Sequence, residues 1–195
     1  MIVYTQINEP NNLKEGEIWL PCLETSPTEH RQSWKQPLLI THIDAIKHYD
    51  YDIVPLLDQV VHCIGPKTYD RLKDMGFTQV HLHGLVAEDI KINQMPITPC
   101  TWLHGDRYSK DFSTYNGVTA IKTFTTSLCE GSLSKIKEMV TTGNPPSKIF
   151  VYSDLVCKAL QEFGDWPQTE LGLTESCEAD SSKWLKLNTF YPGEE

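Results

Sequence analysis

Residues 60–68 read Val-Val-His-Cys-Ile-Gly-Pro-Lys-Thr, so an apolar run halts on a glycine, a proline, a cation and a hydroxyl. A glycine lets the chain turn sharply, and a proline suits the first position of a helix. The backbone N–H groups that open such a helix face whatever lies before it, and they favour a carboxylate or a phosphate. The same residues also serve an ordinary strand-to-helix connection, capped and tight. Comparable turns recur at Thr41-His42, His104–Arg107, Ser153-Asp154 and Gly172–Ser176, with Lys67, Arg71, Arg107 and Lys110 in or just after them. Small residues, hydroxyls and amides of this kind bind and orient anions more readily than they make or break bonds.

Other chemistry has weaker support in the residues. No P-loop, G-x-G-x-x-G fingerprint or G-x-S-x-G elbow occurs. His81 and His83 alternate along one strand face, with His62 or Cys63 as neighbours, yet no convincing third ligand completes a metal site, and none is expected. Cys63 lies inside an apolar run and reads as a buried, inert thiol. The carboxylates lack the paired spacing of a general acid and base. No acidic cluster at strand ends suits Mg²⁺, and no flavin loop is evident, which disfavours a receiver-type or flavodoxin-type signalling domain.

The formal net charge of −9 disfavours nonspecific nucleic-acid binding, which needs a basic surface, so any anion site must be a local concentration of donors. Hydrophobic residues at 39% and charged residues at 22% fit a folded globular chain. No apolar run nears the roughly 20 residues that span a bilayer, and "MIVYTQINEP" has no signal-peptide pattern. The 6 cysteines are scattered without a C-x-x-C pair and read as reduced thiols of a cytoplasmic protein with no membrane or nucleic-acid partner.

These turns must be positioned by short strands that alternate with short helices. "MIVYT", "LLIT", "VVHCI", "QVHLH", "PCTWLHG", "GVTAIKTFTTSL", "KIFVYS" and "TELGL" read as strands. Ile18 to Leu23 reads as a strand that Pro21 demotes to an edge or crossover. Helices are expected after Thr41, with Asp44, Lys47 and His48 on the wet side, and from Tyr69 to Met75, closed by Gly76. Others are expected over "RYSKDFSTY", over "SLSKIKEMVTTG" capped by Ser132 or Ser134, over "DLVCKALQEFG", and briefly before the last strand. The pattern is α/β with mostly parallel sheet, and the strand candidates exceed what one sheet of this length comfortably holds. Two small domains follow, and a weak internal repeat agrees: "LLITHIDAIKHY" and "IFVYSDLVCKAL" each lead, some twenty residues on, to a glycine with hydroxyls.

The order of these segments resembles the uroporphyrinogen-III synthase family. "CIGPKTYDRLKDMGF" is similar to that family's Val-Gly-Pro-x-Thr-x-x-x-Leu-x-x-x-Gly segment, and this match is the closest. "LLITHIDAI" and "KIFVYSDLVCKAL" resemble its two strands that end in Thr-Ser before a helix. "TWLHGDRYSKDF" with "GVTAIKTFTTS" resembles its Arg-Gly-x-x-x-Arg stretch and the strand after it, and "LGLTESCEADSSKWLKLNTFYP" its terminal Gly-x-x-Thr-Ala segment. The matches cover nearly the whole chain in the family's order.

The resemblance implies two flavodoxin-like α/β domains joined by a two-stranded linker, with an active-site cleft between them. Domain 1 takes residues 1–22 and 126–195, domain 2 residues 23–125, and the linker strands lie near 20–26 and 119–126. It implies a cofactor-independent, monomeric hydro-lyase of heme biosynthesis that closes hydroxymethylbilane to uroporphyrinogen III, inverting ring D and losing water. Thr68 and Tyr152 are the catalytic candidates. Thr41, His42, Gly65, Pro66, Lys67, Thr68, Gly105, Arg107, Ser153, Asp154, Thr174 and Ser176 are the substrate-binding ones. A non-catalytic binder of tetrapyrroles or other polyanions on the same fold is the alternative. The chain departs from the family at Phe124, where a Tyr is usual, with Thr123, Thr125 and Tyr152 as nearby hydroxyls; at Glu175, where a hydroxyl is usual; and in residues 5 to 17, which leave little room for a first helix.

Overall fold

A computed structural model describes residues 1–28, 37–48, 53–92, 97–163, 169–173 and 189–190. The chain divides into two compact units, one of residues Met1–Glu24 with Ser127–Glu195 and one of Thr25–Thr126. Each is built on a mainly parallel sheet with helical connections.

In the first unit, β1 (Ile2–Tyr4), β2 (Glu17–Trp19), β9 (Lys148–Val151), β10 (Glu170–Leu173) and β11 (Thr189–Phe190) lie in the order β11-β10-β9-β1-β2. Every neighbouring pair is parallel. No helix joins β1 to β2, in keeping with the short 5–17 segment. Helices α3 (Glu130–Thr141) and α4 (Asp154–Gln161) supply the connections to β9 and β10. Val3, Ile149, Val151 and Leu171 from the strands pack with Leu133 and Ile136 of α3 and with Val156, Cys157 and Leu160 of α4. Fully burying one such aliphatic side chain contributes roughly 1.5–3 kcal/mol.

In the second unit, β3 (Leu23–Pro27), β4 (Leu38–Ile40), β5 (Val60–Cys63), β6 (Gln79–Leu82), β7 (Cys100–Gly105) and β8 (Val118–Leu128) form a sheet ordered β3-β8-β7-β4-β5-β6. The run from β8 to β6 is parallel throughout. As β4 is central, both its faces are buried: Leu38 and Ile40 join one apolar cluster, Leu39 the other. The first cluster is closed by Leu72 of helix α2 (Pro66–Asp74), the second by Trp102, Ile90 and Phe112. The single-turn helix α1 (Asp44–Lys47) follows β4.

Several local expectations are corrected. Pro21 separates two strands, β2 and β3, instead of lying inside one, and β2 is the sheet edge. α2 begins at Pro66, three residues earlier than expected, because proline fits the first helical position. α3 begins at Glu130 with Cys129 at its N-cap, which leaves Ser132 buried within the helix and not capping it. No helix forms over 107–115: the Asp111 carboxylate accepts from the N–H and the hydroxyl of Ser113 at 2.8 and 2.6 Å, a local bond that competes with helix formation. Gly172 sits buried within β10 and does not open a turn. The expected short helix before the last strand falls outside the described residues. Among the described residues no helix is long and apolar enough to cross a membrane.

Candidate functional site

In an open parallel sheet, ligands collect beyond the carboxyl ends of the strands, where successive connections leave in opposite directions. The strand orders place that reversal between β4 and β7 in the second unit, and between β1 and β9 in the first. Thr41-His42 and Gly105–Arg107 flank the former; Thr5 and Tyr152-Ser153 flank the latter.

In the second unit, the indole N–H of Trp102 on β7 donates to Thr41 Oγ1 at 3.3 Å, which ties the two strands together at the reversal. His42 is exposed, Arg107 is exposed beyond β7, and Pro66 and Lys67 are exposed at the start of α2. Gly65 has φ of 75°, which an L side chain rarely adopts. Its N–H donates to the Gly84 carbonyl at 2.9 Å, so Gly65 supplies the conformation of the turn, and its amide is not a free donor. Pro66 has no N–H to give. The donors left at this turn are the amides of Lys67 and Thr68 with the half-buried Thr68 hydroxyl, for Gly65 offers α2 no side-chain cap.

Gly105 has a different reason. A Cβ there would overlap the ring of Phe124, which lies buried against it. Position 124 is therefore a phenyl ring packed on a glycine. Thr123 beside it is fully buried and donates to the His104 carbonyl at 3.4 Å, so its hydroxyl is engaged.

Asp44 was expected on the wet face of its helix and is instead 0% exposed. With α1 only one turn long, its start is tucked beside β3, where Thr25 Oγ1 donates to Asp44 Oδ2 at 3.4 Å. Thr25 also stands 2.6 Å from His48 Nε2, and His42 Nδ1 lies 3.6 Å from Asp44 Oδ2. The rings of His42 and His48 both approach Phe124, with centroids 5.9 and 6.3 Å away. Sequence reasoning named His42 and Phe124 but missed Asp44, Thr25 and His48 as partners. The one local signal was an acidic residue inside the apolar stretch Ile40–Ile46.

In the first unit, Ser153 caps α4 by accepting from Leu155 N–H at 3.3 Å, and Asp154 follows in the first turn, where a carboxylate complements the helix dipole. Thr5 Oγ1 donates to the Phe150 carbonyl at 2.8 Å. Tyr152 is half-buried, and that burial pushes its phenol pKa up. Thr174, Glu175 and Ser176 fall outside the described residues.

His62, His81 and His83 meet on one face of β5–β6, and His62 Nδ1 lies 2.7 Å from His83 Nε2. Burial first, then His83 and His81, push His62 down to about 4; burial and His81 lower His83. Among the described residues no group of three His, Cys, Asp or Glu is arranged to hold a metal ion. Cys63 is buried, and that burial pushes its thiol up to about 11, which removes it from nucleophile chemistry near neutrality.

No protein-family model matches the sequence, and no curated protein compared with it matches. Among solved structures, the chain is similar to uroporphyrinogen-III synthetase from Helicobacter pylori 26695, with a TM-score of 0.62 and 12% identity over 88% of this chain and 82% of that one. It thus has the mixed α/β fold with parallel sheets seen in that enzyme. Two structures of the Thermus thermophilus synthase, the first of them a mutant, cover 100% of this chain at 10% and 13% identity, and 93% and 94% of their own. At TM-scores of 0.46 and 0.40, neither bears on the fold.

Proposed function

We propose that the chain is a uroporphyrinogen-III synthase, a cofactor-independent hydro-lyase of heme biosynthesis that closes hydroxymethylbilane with inversion of ring D and loss of water. The observation that carries this reading is the donor-lined carboxyl edge of the second unit on a fold like that of the Helicobacter synthetase. Thr41, His42, the Lys67 and Thr68 amides, and Arg107 lie along that edge, and a polycarboxylate substrate needs such a local set of donors in a chain of net charge −9.

The chemistry asks mainly for orientation. Departure of the terminal hydroxyl leaves a cationic azafulvene, the substituted carbon of ring D attacks it, and a spiro intermediate rearranges. Holding a flexible chain with its ends together can supply a large part of the barrier reduction. The Thr68 hydroxyl is the donor proposed to assist on this edge; Tyr152, the other candidate, lies at the corresponding strand end of its own unit. Burial raises the Tyr152 pKa, so that phenol keeps its proton and acts as a hydrogen-bond donor.

Supplied with freshly generated hydroxymethylbilane, the purified protein is expected to yield the type III isomer. Type I product alone at saturating protein would sink the reading. A second reading, a non-catalytic tetrapyrrole binder, is favoured by one observation: Phe124 offers no proton and is buried against Gly105. Tight uroporphyrinogen binding without isomer selection would decide for it.

A further inference from the structure

Asp44 is a buried carboxylate with too few partners. Among the described residues its Oδ1 is buried and accepts no hydrogen bond, and Lys47 Nζ stands 3.9 Å from it. Its Oδ2 takes only the long Thr25 contact at 3.4 Å and faces His42 Nδ1 at 3.6 Å. A buried carboxylate without compensating bonds is costly, and such groups persist in a fold chiefly where they have work to do.

The surrounding bonds define what that work is. Thr25 has one hydroxyl hydrogen to share between Asp44 Oδ2 at 3.4 Å and His48 Nε2 at 2.6 Å, so it links the carboxylate to the second imidazole. His42 Nδ1 faces two groups of the same residue, the Asp44 backbone N–H at 3.3 Å and Oδ2 at 3.6 Å. A neutral His42 accepts from the N–H; a protonated one donates to the carboxylate. Both protonation states have a partner within reach of one small ring rotation, and the side chain is 48% exposed, open to a ligand. Among the described residues, Asp44 of α1 and Phe124 of β8 face this ring, and Lys47, Thr25 and His48 stand around Asp44.

We propose that His42 is the acid that protonates the departing hydroxyl, with Asp44 as the residue that positions its imidazolium and supplies the opposite charge. This rests on the synthase reading and adds to it a proton donor placed at the sheet's reversal point. In the step, the carbon–oxygen bond of the hydroxymethyl group breaks as the Nε2 proton of imidazolium His42 passes to the oxygen, and water leaves. The adjacent pyrrole nitrogen supplies the electron pair that fills the vacancy, giving the azafulvene cation. The neutral imidazole then recovers one proton, the one lost when the closed macrocycle regains its aromatic pyrroles. Protons and charge balance over the turnover.

The test uses the full chain with freshly made hydroxymethylbilane, following the rate and the isomer formed. In H42Q, kcat should fall about 100-fold, the lower bound for loss of a general acid, whatever rise in KM accompanies the lost substrate contact. The decline of kcat towards high pH should vanish in this variant, and imidazole added to H42A should restore part of the rate. D44N should lower kcat about tenfold and weaken the same pH limb with KM unchanged. Melting curves of each variant separate loss of folding from loss of chemistry, and imidazole rescue decides the matter if D44N unfolds. Type III product from the wild type with full kcat and an unchanged pH profile in H42Q overturns the role of His42 and leaves the synthase reading standing. Absence of isomer selection in the wild type overturns both.

Discussion

After β9 the chain places Tyr152 and Ser153, and after β4 it places Thr41 and His42, so one strand-to-helix position carries two hydroxyls in one unit and a hydroxyl with an imidazole in the other. In the first unit Ser153 caps α4, Thr5 bonds the Phe150 carbonyl, and the Tyr152 hydroxyl is half-buried. In the second unit the corresponding edge keeps His42, Lys67 and Arg107 at the surface and buries Asp44 beside His42, with one oxygen unsatisfied among the described residues. All 7 histidines of the chain fall within residues 25–126. The two sheets share a construction, but the chain's imidazoles all belong to one unit.

Gly105→Ala tests that contrast most severely. The new methyl would fall inside the Phe124 ring and force it away from the position it shares with His42 and His48. Overpacking of this kind costs about 1–3 kcal/mol, and each kcal/mol lowers Tm by roughly 2–4 °C in a chain of this size. The expected result is a lower melting temperature with a steep loss of type III product. A G105A protein with unchanged melting and full activity would show that the Phe124 seat plays no part in the site.

Acid should separate the units next. His62 titrates near 4 in the folded chain against 6.5 for the free side chain, because burial and two neighbouring imidazoles oppose its charge. Above 6.5 neither state binds the proton, so stability is full. As pH falls from 6.5 towards 4 the unfolded chain binds it first, and stability is lost. After discounting for the solvent that still screens this half-buried ring, the loss is on the order of 1–2 kcal/mol. Hydrogen exchange at pH 7 and pH 5 should show protection falling in β5 and β6 more than in β9 and β10. H62Q should flatten that response in part, since His83 is lowered as well. Equal loss in both sheets would remove the contrast.

Much of the fold was readable because its signals are local. Leu38–Ile40 and Val60–Cys63 are apolar runs that end on turn residues, Gly76 closes α2, and Ser153 caps α4, each within a few residues of the element it bounds. Strand-end positions such as Thr41-His42 and Lys67-Thr68 follow from those ends. The rest depends on distance. Asp44 is buried where Thr25, 19 residues earlier, bonds it and where Phe124 of β8 packs against the neighbouring His42 and His48 rings, and no spacing rule registers that. The missing helix over 107–115 turns on one carboxylate preferring the Ser113 amide. The glycine at 105 looked like a ligand turn and is explained by a ring that arrives from β8.

The smallest effects give the finest form of the comparison, because they set Thr68 against Ser153. Both hydroxyls stand at the start of a helix after a parallel strand. Ser153 accepts from Leu155 N–H, so Ser153→Ala should cost about 1 kcal/mol, or roughly 2–4 °C in Tm, with the rate of type III formation unchanged. The structure gives Thr68 no cap to make, since Gly65 holds that place. Thr68→Ala should therefore leave Tm nearly untouched and slow the reaction about tenfold, the scale of one lost hydrogen bond of about 1.4 kcal/mol. Thermal melting and the isomer assay on the two variants read the opposite pattern directly. Equal losses of stability in the two would mark Thr68 as a structural hydroxyl, and the carboxyl edge of the second unit would then rest on His42, Lys67 and Arg107.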